Sequence, residues 1–147
     1  MLNNDDMPLR EARARYFRDN GFGADGGYAK RWVKVKLGPV PVWFPNTAAR
    51  RRAVGLHDLH HIATGYQTDL AGEGEIAAWE LAAGCGHYVA AWVLNIAALA
   101  MGLVIAPRRV AAAWARGRRT RTLYSQAFDD RWLGETVGAL RARLGLG

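Results

Sequence analysis

The sequence predicts a mostly α-helical bundle with one small β-hairpin near its N-terminus, and three observations lead there. From Asn46 onward, apolar residues recur at helical spacing. Strict alternation is confined to one short run, Val33, Val35 and Leu37 against Lys34 and Lys36. Capping and breaking residues such as Thr47, Gly65 and Pro107 stand where the helical runs begin and end. At 147 residues, 50% of them hydrophobic, the chain reads as one domain able to bury a single core. Residues 1–45 supply a helix and the hairpin, and 46–147 the helical core.

The elements follow in order. Residues 8–19 form a helix: Asp6 can cap it, Pro8 suits its first turn, and Leu9, Ala12, Tyr16 and Phe17 make its apolar stripe. Asn20-Gly21 stops it, and GFGADGG is a loop. The alternating run is a half-buried strand, Gly38-Pro39 turns the chain, and VPVWF returns as an edge strand, because Pro41 and Pro45 cannot donate to a central ladder. Asn46 or Thr47 caps a helix reaching Thr64, closed by Gly65. A second helix runs from about Gly72 to Ala83, and Gly84 and Gly86 weaken or kink it. Tyr88 to Ala106 is an apolar helix that Pro107 ends or bends. Its length is near the ~20 residues a bilayer span needs, but its alanines, glycine and Asn95 favour a buried central helix. Residues 108–121 are Arg-rich and helical, and 130–144 form a last helix with Trp132, Leu133, Val137, Leu140 and Leu144 on its apolar side.

Composition narrows the classes of function. The net charge of +7 is carried mainly by arginine and suits an anionic partner. Arg108, Arg109, Arg116, Arg118, Arg119 and Arg121 crowd one stretch; with Trp114 nearly alone among them and no recognised module, nucleic acid is not expected. A solvated helix face or contact with anionic lipid is the reading instead. The lone Cys85 excludes an intramolecular disulfide and a thiolate zinc site, and beside two glycines it is a packing residue rather than a nucleophile. The polar first twenty residues do not resemble a cleavable leader. A cytoplasmic location is expected, with peripheral contact at the inner face of a membrane as its extension.

Chemistry concentrates in residues 56–80, LHDLHHIATGYQTDLAGEGEIAAWE. At about 100° per residue, His61 falls roughly 40° from His57 and Asp58 about 100° from it, while Leu56 and Leu59 lie opposite. Two imidazoles one turn apart can grip one ion, and Asp58 can ligate it or hold a ring nitrogen. His60 points about 60° the other way and is left out of the ligand set. On the second helix, Glu73, Glu80 and, if the helix stays regular, His87 share a face, with Ala77 and Gly84 between them; Glu75 points away towards solvent. The candidate metal ligands are thus His57 and His61, with Asp58 as a ligand or a partner to a ring nitrogen, and a carboxylate from the Glu73 face of the second helix, at the centre of the bundle. Glu80 and His87 are candidate proton relays. An all-N/O ligand set suits a divalent ion, zinc, iron or manganese. Two histidines at this spacing also arise by chance on surfaces; the downstream carboxylate on a shared face is what lifts the motif above that.

The pattern His57-Asp58, two residues, His61, eleven residues, Glu73 resembles the ubiquinone (coenzyme Q) biosynthesis protein 4 family, and TGYQTD and Gly72-Glu73 look like it too. The resemblance covers roughly Arg50 to the C-terminus, and only 57–73 is strongly specific. It implies a helical fold, a divalent metal, usually zinc, on the residues matching His57, Asp58, His61 and Glu73, an apolar groove for a prenyl tail, and oxidative decarboxylation or related head-group chemistry on a quinone precursor. The apolar helix with Trp79 or Trp92 would line that groove. The first fifty residues do not resemble the family.

Other motifs fit less well. HDLHH matches one box of membrane di-iron enzymes, but only His87 remains to complete such a site. An HD-type phosphohydrolase needs a histidine upstream of His57, where there is none, and HExxH is absent. From a different class, a non-catalytic lipid-binding or scaffold protein with a structural ion fits the same residues. Small Gly and Ala side chains on the helix faces also permit a homo-oligomer.

Overall fold

The computed structural model describes residues 4–37 and 40–147. The expected Gly38-Pro39 turn, and the facing of Val35 and Leu37, lie outside the described residues. The described residues form six α-helices and one hairpin: α1 Leu9–Asp19, β1 Trp32–Leu37, β2 Val40–Pro45, α2 Ala48–Thr64, α3 Leu70–Ala83, α4 Val89–Ile105, α5 Pro107–Gly117 and α6 Val137–Leu144. The predicted class, mostly α with a small N-terminal hairpin, is the observed one.

Local chemistry sets most boundaries. The Thr47 hydroxyl accepts from the Arg50 amide to start α2, and Gly65, at φ 81°, ends it. Helix α3 begins two residues earlier than expected, because Asp69 accepts from the Gly72 amide as its cap. Gly84, at φ 106°, stops it after Ala83. Pro107 does not bend one long helix: it opens α5, where its missing N–H costs nothing. The single helix expected over 130–144 is split into a short 3₁₀ turn, Asp130–Gly134, and α6, because the Thr136 hydroxyl accepts from the Ala139 amide and starts a new helix there. The expected Asp6 cap is not formed; Pro8 precedes α1 with no side-chain cap.

The central helix is α3, not α4. Helix α3 buries Gly72, Gly74 and the whole run from Glu75 to Glu80. It lies between α4 and α5 and crosses both at glycines. A Cβ on Gly74 would come within 2.5 Å of the Gly102 Cα on α4, and one on Gly117 of α5 would meet the Trp79 carbonyl at 2.5 Å. Helix α4, expected to be buried, buries only Ala91, Asn95 and Gly102. No helix among the described residues is long and apolar enough to cross a membrane.

The other helices are tied around this centre. The Leu9 amide donates to the Glu135 carbonyl at 2.7 Å and the Val137 amide to the Met7 carbonyl at 2.9 Å, fastening the start of α1 to the start of α6. The C-terminal carbonyls of α2, which have no partner inside the helix, take arginines: Arg141 donates to Ala63 at 2.9 Å and Arg116 to Thr64 at 3.1 Å. Arg109 makes two bonds to Glu75, at 2.7 and 3.1 Å. Glu75 is thus a partly buried ion-pair partner rather than a solvated acid, and the arginine stretch is in part structural. The hairpin pairs antiparallel, Trp32 opposite Pro45 and Lys34 opposite Trp43. Among the described residues no helix packs extensively against it, and Trp32 and Trp43 are exposed.

Candidate metal centre

Helix α2 presents His57, Asp58, His60 and His61, and α3 presents Glu73 and Glu80. The Nε2 atoms of His57 and His61 face each other across 3.1 Å. The Glu73 carboxylate stands 3.3 Å from His61 Nε2 and 3.5 Å from His57 Nε2. The three side chains offer ligand atoms within 4.8 Å of one another.

The far side of each ring fixes its tautomer. His61 Nδ1 lies 2.9 Å from the Tyr66 carbonyl, which can only accept, so Nδ1 carries the proton. His57 Nδ1 donates at 2.9 Å to Glu80 Oε1. With Nδ1 holding its proton, each ring in its neutral form aims a bare Nε2 lone pair at one point, beside a third acceptor. Such a group demands a positive charge. An ion ~2.0–2.1 Å from each nitrogen at a tetrahedral angle would separate them by about 3.3 Å. The observed 3.1, 3.3 and 3.5 Å fit that geometry. In the absence of an ion, a proton meets the demand: burial pulls His57 down, but the charges and hydrogen bonds of Glu80 and Glu73 outweigh it and raise the ring well above its ordinary value. Burial likewise opposes ionised Glu73, yet the two imidazoles bring it down to about 2.

Beneath the cluster lies a fully buried hub. Glu80 is 0% exposed. Its Oε1 accepts from His57 at 2.9 Å and His60 at 2.6 Å, and its Oε2 from Asn95 at 2.5 Å and the Tyr124 hydroxyl at 3.0 Å. Burial penalises this charge, but His57 and His60 hold the carboxyl well below its usual range. His60 Nε2 accepts from the Leu123 amide at 2.8 Å. With both nitrogens committed, and burial lowering its affinity for a proton, His60 is neutral and stays outside the ligand set, as its angle on the helix implied. Trp79, expected near a groove, packs edge-on against His60 at 5.1 Å in the core.

Asp58 is buried next to the cluster but outside the mutually close group. Its Oδ2 accepts from the Tyr28 hydroxyl. Burial raises its pKa, against hydrogen bonds from Tyr28 and Tyr16. Tyr16 also stacks on His61, ring centroids 5.7 Å apart. The N-terminal segment thus walls the site. Asn46 sets Tyr28 in place, donating to the carbonyls of Tyr28 at 3.1 Å and Lys30 at 2.6 Å. A cavity of about 330 Å³ opens beside His61, where Met7 and Ile62 share the wall with Arg15, Asp19, Asn20 and Thr68. It is mixed in character, and none of the residues expected to line an apolar groove, 88–106 with Trp79 or Trp92, border it.

His87 does not share the Glu73 face. The register that placed it there ends at Ala83, and His87 sits exposed in the turn before α4. Sequence reasoning missed Tyr16, Tyr28, Asn95 and Tyr124. Asn95 was visible as the one strongly polar residue in the apolar run 88–106, and Tyr16 as a hydroxyl-bearing member of the α1 stripe; nothing in the sequence marked Tyr28 or Tyr124.

No protein-family model matches the chain, and no curated protein or solved structure matches it either.

Proposed function

We propose that this is a divalent-metal-binding helical protein whose ion fastens α2 to α3 and completes the core. The carrying observation is the convergence of two imidazole lone pairs and the Glu73 carboxylate, each imidazole held in the required tautomer by a separate partner. Helices α2 and α3 already meet through Glu80 and through Trp79 packed on His60, and an ion bridging His57 and His61 to Glu73 adds a further tie at the exposed side of that contact. Zinc, iron and manganese all accept this ligand set.

A second reading, metal-dependent chemistry, draws support from the openness of the cluster. The Glu73 side chain is 36% exposed and that of His57 23%. Three protein ligands with an accessible side leave a coordination position free, as catalytic sites do. The HDxxH-and-Glu spacing resembles the ubiquinone-biosynthesis family, and on this reading the substrate is a prenylated aromatic or quinone precursor undergoing head-group chemistry. A bound ion would polarise a ring or carboxylate oxygen. Glu80, sealed in the core, would act by orienting His57, and a proton would have to leave through the exposed side by Glu73.

Elemental analysis of the gently purified chain, with lipid mass spectrometry on the same sample, tests both. One equivalent of ion lost in His61→Ala supports the metal centre, whereas full stoichiometry in that variant overturns it. A cobalt(II)-substituted spectrum that changes on adding a quinone-precursor analogue favours the catalytic reading; an unchanged spectrum with a large loss of thermal stability on chelation favours the structural one.

A further inference from the structure

We infer that the exposed face of α4 is the interface of a two-fold dimer of this chain. Helix α4 has no charged residue in its seventeen. It leaves Val89, Trp92, Val93, Leu94, Ile96, Met101, Leu103, Val104 and Ile105 between 39% and 82% exposed. Val89, Trp92, Val93, Ile96, Leu103 and Val104 lie within about 60° of one line along the helix, and at ~150–200 Å² for a fully exposed large side chain they hold roughly 600 Å² of apolar surface on that face. That is about three quarters of the ~800 Å² each partner gives to a standard stable interface, and it stands at the top of the ~300–600 Å² that monomers leave bare in their largest patch.

The pattern on that face is specific. Val89, Val93, Ile96, Ala100 and Leu103 recur at alternating steps of four and three, the 3.5-residue repeat with which one helix packs along another. The face is also rigid. Gly102 touches Gly74 backbone to backbone, and Asn95 donates to Glu80 at 2.5 Å, so α4 is already held in position.

A second copy fits better than a lipid surface. A helix lying in a bilayer interface carries Lys or Arg along its flanks to reach head groups, and α4 has none; its polar Asn95 is turned into the protein's own core. The net charge of +7 disfavours self-association in general, but none of that charge lies in the seam. An antiparallel pairing centred near Ile96 keeps the exposed Arg108 of each copy about 25 Å or more from the other's, given a rise of 1.5 Å per residue, well beyond the ~8 Å screening length. A parallel pairing would bring them together. Val89 then opposes Leu103 across the axis and Ile96 meets its own counterpart.

Sedimentation equilibrium of the full chain tests this. The expected mass is twice the 16.2 kDa of one chain, falling to a single chain in Val93→Glu with an unchanged far-ultraviolet circular-dichroism spectrum at about 25 °C. Ile96→Cys should cross-link to a covalent dimer on mild oxidation while the wild-type chain, its Cys85 buried, does not; this variant keeps the test open if Val93→Glu fails to fold. A one-chain mass for the wild type overturns the proposal. So does a dimer that survives Val93→Glu with Ile96→Cys failing to cross-link, or a one-chain protein that instead binds phosphatidylserine vesicles through α4.

Discussion

His57 and His61 point their Nε2 atoms at each other across 3.1 Å with their other ring nitrogens already bonded, one to Glu80 and one to the Tyr66 carbonyl. Two lone pairs do not face each other at that distance without a cation or a proton between them. Adding a divalent ion to chelator-treated protein should therefore raise its thermal midpoint. At a free ion concentration a hundredfold above Kd the gain is about 2.7 kcal/mol, roughly 5–10 °C for a chain of this size. Differential scanning calorimetry would show it, and His61→Ala should respond to no added ion.

Glu80 accepts four hydrogen bonds at 0% exposure. Truncation to alanine strands the donors of His57, His60, Asn95 and Tyr124, and loss of one partner in a buried charged network costs ~3–5 kcal/mol. Glu80→Gln should recover part of the stability but weaken the hold on the His57 tautomer, lowering metal affinity by about 10–100-fold. Urea titration with isothermal calorimetry separates the two effects; a Glu80→Gln protein binding metal as tightly as wild type would remove Glu80 from the metal's support.

The metal-free protein should lose stability on both sides of a window. Glu73, at about 2, and Glu80, lower than usual, have folded values below their unfolded ones near ~4.3. Their contribution is complete above the unfolded value and drains away as pH falls towards the folded ones. His57 is raised, so its contribution is complete below the unfolded value near ~6.5 and is lost as pH climbs through the folded one. Denaturation midpoints of chelated protein should thus be highest between about pH 4.5 and 6.5. Metal affinity should fall with pH, because the proton on His57 competes for Nε2.

Removing the Tyr28 hydroxyl with phenylalanine leaves the buried Asp58 carboxylate short of a donor. An unsatisfied buried polar group costs about 1–3 kcal/mol, so Tyr28→Phe should lower the urea midpoint by a corresponding amount. A substitution that changes nothing would show the N-terminal wall to be dispensable.

Gly74 and Gly102 bring α3 and α4 into backbone contact. A methyl group at Gly74 has nowhere to go but into the opposing Cα, and overpacking of this kind costs ~1–3 kcal/mol. Gly74→Ala should be destabilised despite alanine's better helix propensity, as a thermal melt would reveal.

What the sequence disclosed follows from how local each cause is. Thr47, Gly65 and Gly84 act on their neighbours, so α2 and the end of α3 were legible, and so was the shared face of His57 and His61 with Glu73 across the loop. Asp69 and Thr136 were equally local caps hidden inside polar stretches. The depth of α4 was not legible, because an apolar run looks the same whether its partner is its own core or something outside. Nor was the hub: Asn95, Tyr124 and Tyr28 reach the site from segments fifteen to forty-four residues away from the carboxylates they serve.

The hairpin stands on a narrow base. Asn46 joins its two roots, donating from its side chain to Tyr28 and Lys30 and from its backbone to Arg31 at 2.8 Å. Trypsin cutting after the exposed Lys34 would sever the arm above that knot, so the two fragments should stay together and keep the histidines where they are. The arm is thereby a site where the chain can be nicked, or extended with foreign sequence, without disturbing what lies below it.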